Sequence, residues 1–174
     1  MYKNHYIVCV LIVLITNIAW IFLWHYLIFP LTLVAMLGIL VLLILIYLRL
    51  DICRTQVSTA EKWLVHIPFS IYLGWITVAT IANVTSLLDY LGWSGWGVSP
   101  EVWAILMLLA AVVISGIMSI TRGDIAYSLV LIWAFVGIAV KHQGTSTVSA
   151  AAWIAALLVG LLLIVGVVLN RKPK

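Results

Sequence analysis

Six apolar runs, each long enough to cross a bilayer and set apart by short polar breaks, constrain this chain more than any other feature. They fall at 5–27, 29–50, 62–88, 100–121, 124–141 and 147–170. At 1.5 Å rise per residue, about 20 residues cover the roughly 30 Å of bilayer hydrocarbon. Lipid offers backbone N–H and C=O groups no partner, so each run must satisfy its own, and no ten-residue alternating pattern suggests a barrel. The expected fold is all-α, a polytopic bundle of about six transmembrane helices forming one membrane domain over 1–174. Composition agrees: 66% of the residues are hydrophobic and only 8% charged, against roughly 25% charged in soluble domains.

The breaks carry their own signals. Pro30 divides the first two runs, Ser99 followed by Pro100 is an N-cap and first-turn pair, and Asp124 is placed to cap the fifth helix. Six spans put Lys3, Arg49, Arg54, Lys62, Arg122, Arg171, Lys172 and Lys174 on one side and Lys141 on the other. Basic residues in short loops stay in the cytoplasm, so both termini are expected inside, in a cell membrane. Lys3 ahead of an apolar run resembles a signal peptide, but the run continues past Trp24 without a small-residue cleavage site and reads as a retained span. Trp93, Trp96 and Trp103, with Asp89 and Glu101, are expected at the outer interface.

Several functions are disfavoured. Lysines, arginines, aspartates and glutamates sit at span ends or in loops, whereas ion pumps and proton-coupled carriers use charges within the membrane. His5, His25, His66 and His142 also lie near span ends, and an interfacial or structural role suits them. The net charge of +4 is spread over loops and tail without a basic stripe, so no nucleic acid partner is expected. Cys9 and Cys53 form no metal or redox spacing, and neither a metal nor a cofactor is expected. No nucleophile-base pair or paired buried carboxylates suggest an enzyme. Arg122 and Asp124, flanking Gly123 near Tyr127, are read first as a helix start and second as a functional loop.

Small residues mark where backbones can approach. Ala111, Ser115 and Ser119 form one seam, Ala152, Ala156 and Gly160 another, and Ser70 with Gly74 begins a third. They serve packing within the bundle or, alternatively, a homodimer face.

Only two side-chain amides lie well within the spans, Asn17 and Asn83, and an amide in hydrocarbon needs a partner. Asn17, Trp20 and Trp24 share one side of the first span. Trp75, Ala79 and Asn83 follow one another at four-residue spacing on the third, with Tyr72 one turn before Trp75. Counting from the cytoplasmic ends sets Asn17 near the depth of Trp75 and Trp24 near that of Asn83, so the two faces could meet across one groove. Two accounts stand. In one, each amide bonds a neighbouring helix and the tryptophans fill the bundle. In the other, Asn17, Trp20, Tyr72, Trp75, Ala79 and Asn83 line a cleft for a flat, mostly apolar ligand such as a tetrapyrrole or sterol.

The residues Asn17-Ile18-Ala19-Trp20 resemble the N-x-x-W of the third helix in the TspO/MBR family, the tryptophan-rich sensory proteins and translocator proteins. Trp75, Ala79 and Asn83 look like that family's fifth-helix W-x-x-x-A-x-x-x-N, with Pro68-Phe69 as its Pro-aromatic pair. On this alignment residues 1–91 hold the TspO-like helices. Residues 92–174, through Leu91-Gly92-Trp93 at their boundary and Arg122 to Ala139, resemble the additional C-terminal helices of longer bacterial relatives, which implies a bacterial cytoplasmic membrane. Pro68 stands seven residues before Trp75 where the family has about four, and the chain contains no Pro-Pro. The resemblance therefore implies a shortened member without the first two family helices. It also implies binding of porphyrins, sterols or similar hydrophobic molecules. Two other classes remain open: an accessory subunit of a membrane complex, and a facilitative transporter of a small neutral molecule.

Overall fold

The computed structural model describes residues 3–170, with side chains from Val8 onward. The side chains of Lys3 and His5, and the residues Arg171, Lys172 and Lys174, lie outside the described residues. Six long helices and no strand occur among the described residues: α1 (Lys3–His25), α2 (Phe29–Arg49), α3 (Thr59–Tyr90), α4 (Pro100–Arg122), α5 (Ile125–Lys141) and α6 (Ser146–Leu169). Five are long and apolar enough to cross a membrane, and α5 is a shorter apolar helix of 17 residues, at the lower end of spanning lengths. The all-α membrane bundle expected from the sequence is what the chain forms.

The chain divides into two compact units, Met1–Trp93 and Ser94–Lys174. In the first, α2 packs against both α1 and α3. The reason lies in its stripe: Thr32, Met36, Ile39, Leu43, Ile46 and Tyr47 recur every three or four residues and are buried. Leu27, at a φ of 59°, turns the chain between α1 and α2, and Pro30 sits in the first turn of α2, where a missing N–H is harmless. Helix α3 starts at a Ser-x-x-Glu box, with the Glu61 N–H donating to Ser58 Oγ at 3.2 Å. It then widens into one π-helical turn over Lys62–His66, closed by the Ile67 N–H on the Lys62 carbonyl. Pro68 follows at once; its ring would crowd the carbonyl four residues back in a regular α-helix, and the wider turn relieves that. Beyond it the buried stripe is Ser70, Leu73, Gly74, Ile76, Thr77, Thr80 and Asn83.

In the second unit the centre is α6, which packs extensively on α4 and α5. Caps behave as expected: Ser99 accepts from the Val102 N–H at 3.5 Å and Asp124 Oδ1 from the Tyr127 N–H at 3.1 Å. Gly123, at a φ of 61°, closes α4 with its N–H on the Ser119 carbonyl at 2.8 Å. The small-residue seam of α4 is buried at Ala111, Ser115, Gly116 and Ser119. That of α6 runs through Ala152, Ala155, Ala156, Val159 and Gly166. Gly160, expected on it, faces open space, whereas a side chain on Gly166 would meet the backbone carbonyl of Ser119. Ahead of α4, Trp96 is 80% exposed at a φ of 53° beside the Trp103 ring, whose Nε1 donates to the Gly95 carbonyl at 3.0 Å.

Candidate functional site

The residues singled out in the sequence all belong to the first unit, and α1–α3 hold them in two groups. In the first, Asn17 Nδ2 donates to the Tyr72 hydroxyl at 2.7 Å, joining α1 to α3. A hydrogen bond between membrane helices contributes about 0.6 to 1.7 kcal/mol. Tyr72→Phe keeps the ring and removes the acceptor, so the thermal midpoint in detergent should fall by a few degrees, roughly 2–4 °C per kcal/mol. An unchanged midpoint would deny this bond any weight.

The second group lies farther along α3. Asn83 is 2% exposed, and its Oδ1 faces Thr32 Oγ1 of α2 at 3.1 Å. Thr32 Oγ1 also lies 2.7 Å from the Phe29 carbonyl, and a hydroxyl has one proton to share between them. The Asn83 Nδ2 has no partner. Turning the amide over would give its N–H to Thr32 and leave the oxygen alone instead, so one buried amide atom stays unmatched in either orientation.

Tyr72 and Asn83 stand eleven residues apart, about 16 Å of helix rise. The two amides therefore lie at different depths, as the depth count has it: Asn17 bonds the side chain one turn before Trp75, and Asn83 faces Thr32 near the start of the helix whose Phe29 meets Trp24. Each amide bonds a neighbouring helix, as the plainer of the two accounts expects.

Aromatic side chains fill the space differently from that account. Trp20 stacks on Trp24 with centroids 5.4 Å apart, Trp24 meets Phe29 edge-on at 5.2 Å, and Phe29 meets Tyr90 at 5.0 Å. The row runs from α1 over the first turn of α2 to the end of α3. Trp20 is partly exposed as a residue, yet its Nε1 is buried and has no acceptor. Trp75 is 48% exposed and Ala79 partly so. Residues at four-residue spacing advance by about 40° each step, which carries the face from the outward Trp75 to the inward Asn83.

Thr32, Phe29 and Tyr90 were not legible as site residues. Threonine in a membrane helix usually serves its own backbone, as Thr77 does with Leu73 at 2.8 Å and Thr80 with Ile76 at 2.7 Å. Phe29 beside Pro30 was the available signal, since a helix start next to a Trp-rich helix end brings rings together. No group of three or more His, Cys, Asp or Glu residues comes together as a metal site among the described residues.

No curated protein and no solved structure matches the chain. A family model described as TSPO-like protein matches residues 3–165, across both units. Together with the apolar helices, that match makes this a multi-pass membrane protein that belongs to the TspO family.

Proposed function

We propose that the first unit binds a planar, largely apolar molecule of porphyrin or sterol type along the row Trp20, Trp24, Phe29 and Tyr90. In this reading the protein is a binding or sensory protein of the cell membrane and not an enzyme. The observation that carries it is the Trp20 indole N–H, buried without an acceptor at the edge of a stacked ring pair. An unmatched buried donor costs roughly 1–3 kcal/mol, which a carbonyl or carboxylate on the ligand would recover. The unmatched Asn83 amide supports a second polar anchor. Asn17 and Tyr72 hold α1 against α3 and so set the width of the surface, while Trp75 and Ala79 give it an apolar shoulder.

Protoporphyrin IX titrated into the protein in nanodiscs should quench tryptophan fluorescence saturably. Trp20→Phe keeps a ring at that position and deletes the N–H, and should weaken binding about tenfold, the equivalent of roughly 1.4 kcal/mol. If Trp20→Phe and Asn83→Leu both leave the affinity of a folded protein unchanged, the ligand sits elsewhere or does not bind.

A further inference from the structure

In the second unit, Ser115 of α4 is 0% exposed and its hydroxyl has no hydrogen-bond partner. This is unlike Thr77 and Thr80, whose protons go to carbonyls one turn back on their own helix. One turn beyond Ser115, the hydroxyls of Ser119 and Ser128 lie 2.9 Å apart, both fully buried. The Ser128 hydroxyl donates to the Asp124 carbonyl at 2.8 Å. A hydroxyl carries a single proton, so Ser128 has none left for Ser119, and Ser119 must be the donor of that pair. The protons thus run in one direction, from Ser119 to Ser128 to the Asp124 carbonyl. Ser119 is left with lone pairs to be donated to, and Ser115 with a proton to give.

Side chains four residues apart on a helix have Cβ atoms about 5–6 Å apart. The Ser115 hydroxyl makes no direct bond to Ser119, and one oxygen held about 2.8 Å from each would link the two. We propose that one water molecule is bound between Ser115 and Ser119, accepting from the first and donating to the second. The chain then reads Ser115, water, Ser119, Ser128, Asp124 carbonyl, with each of the three serine protons matched. Buried waters characteristically serve such otherwise unmatched polar groups. A metal cation does not fit, because hard cations take six or more oxygen ligands and Ser115 and Ser119 offer two hydroxyl oxygens. The water would extend the Ser119–Ser128 joint between α4 and α5 by one turn of α4 without a charge inside the membrane, independent of the ligand surface of the first unit.

The test is water-edited solid-state NMR on the full chain in lipid bilayers, reading transfer of polarisation from water to serine and threonine Cβ. Ser115 should build up faster than Thr80, a buried hydroxyl that serves its own helix, and Ser119→Ala should abolish that difference by removing the water's acceptor. A build-up at Ser115 as slow as at Thr80, or one untouched by Ser119→Ala, overturns the proposal. Should Ser119→Ala fail to fold, the wild-type build-up and Ser115→Ala decide. Losing a water-bridged hydroxyl should lower the thermal midpoint by a few degrees, while a rise or no change means that Ser115 was never bridged.

Discussion

Replacing Gly166 with alanine should destabilise the protein by about 3 kcal/mol or more, seen as a thermal midpoint lower by roughly 10 °C. A Cβ at this position lands on the carbonyl oxygen of Ser119. That atom is backbone, and the Ser119 carbonyl already accepts the Gly123 N–H at 2.8 Å as α4 closes. No side chain can swing aside, so α4 and α6 must separate along their length. They would also strain the Asn170 amide, which donates to the Ile120 carbonyl at 2.9 Å and the Gly166 carbonyl at 2.8 Å. Gly160→Ala on the same helix is the control. It faces open space, and alanine is favoured over glycine within a helix by about 1 kcal/mol, so its midpoint should hold or rise. Equal behaviour of the two variants would mean that the helices do not cross this closely.

Asp124→Ala should be the second largest loss, about 2 kcal/mol, because it removes a helix cap from a place that water does not reach. The carboxylate is 1% exposed and receives the Tyr127 N–H. N-cap losses run from about 0.5 to 2 kcal/mol, and burial places this one at the upper end, since the freed N–H finds no solvent. Asp124→Asn keeps an acceptor of the same shape and should recover most of the midpoint. A variant series in which asparagine is as damaging as alanine would show that the negative charge matters, and would favour a functional role for the Arg122-Gly123-Asp124 turn over a structural one.

The spans were legible because hydrocarbon thickness fixes their length and polar caps fix their starts. Helices expected at 29–50 and 100–121 are Phe29–Arg49 and Pro100–Arg122, and the caps at Ser99 and Asp124 sit where their side chains predicted. The start of α3 was missed by three residues although Ser58 and Glu61 spell a capping box, because charges at Glu61 and Lys62 made that turn look like loop. Which helices form the centres was not legible, since every span is apolar all round and lipid removes the contrast between a buried face and an exposed one. The same loss of contrast affected the site. Asn17 and Asn83 declared that they needed partners, yet nothing in a run of leucines and isoleucines shows that one would choose Tyr72 and the other Thr32.

The wide turn at Lys62–His66 leaves α3 with one residue of slack. Losing a residue there would let the turn tighten to ordinary pitch with Ile67–Tyr90 kept on the same side toward α2, at the cost of bringing the Pro68 ring back against the carbonyl four residues before it. Losing one farther along would swing everything beyond it by about 100°, carrying Asn83 off Thr32. A length change ahead of Pro68 is thus a local matter of one crowded ring, whereas the same change farther along re-aims the working half of the rod.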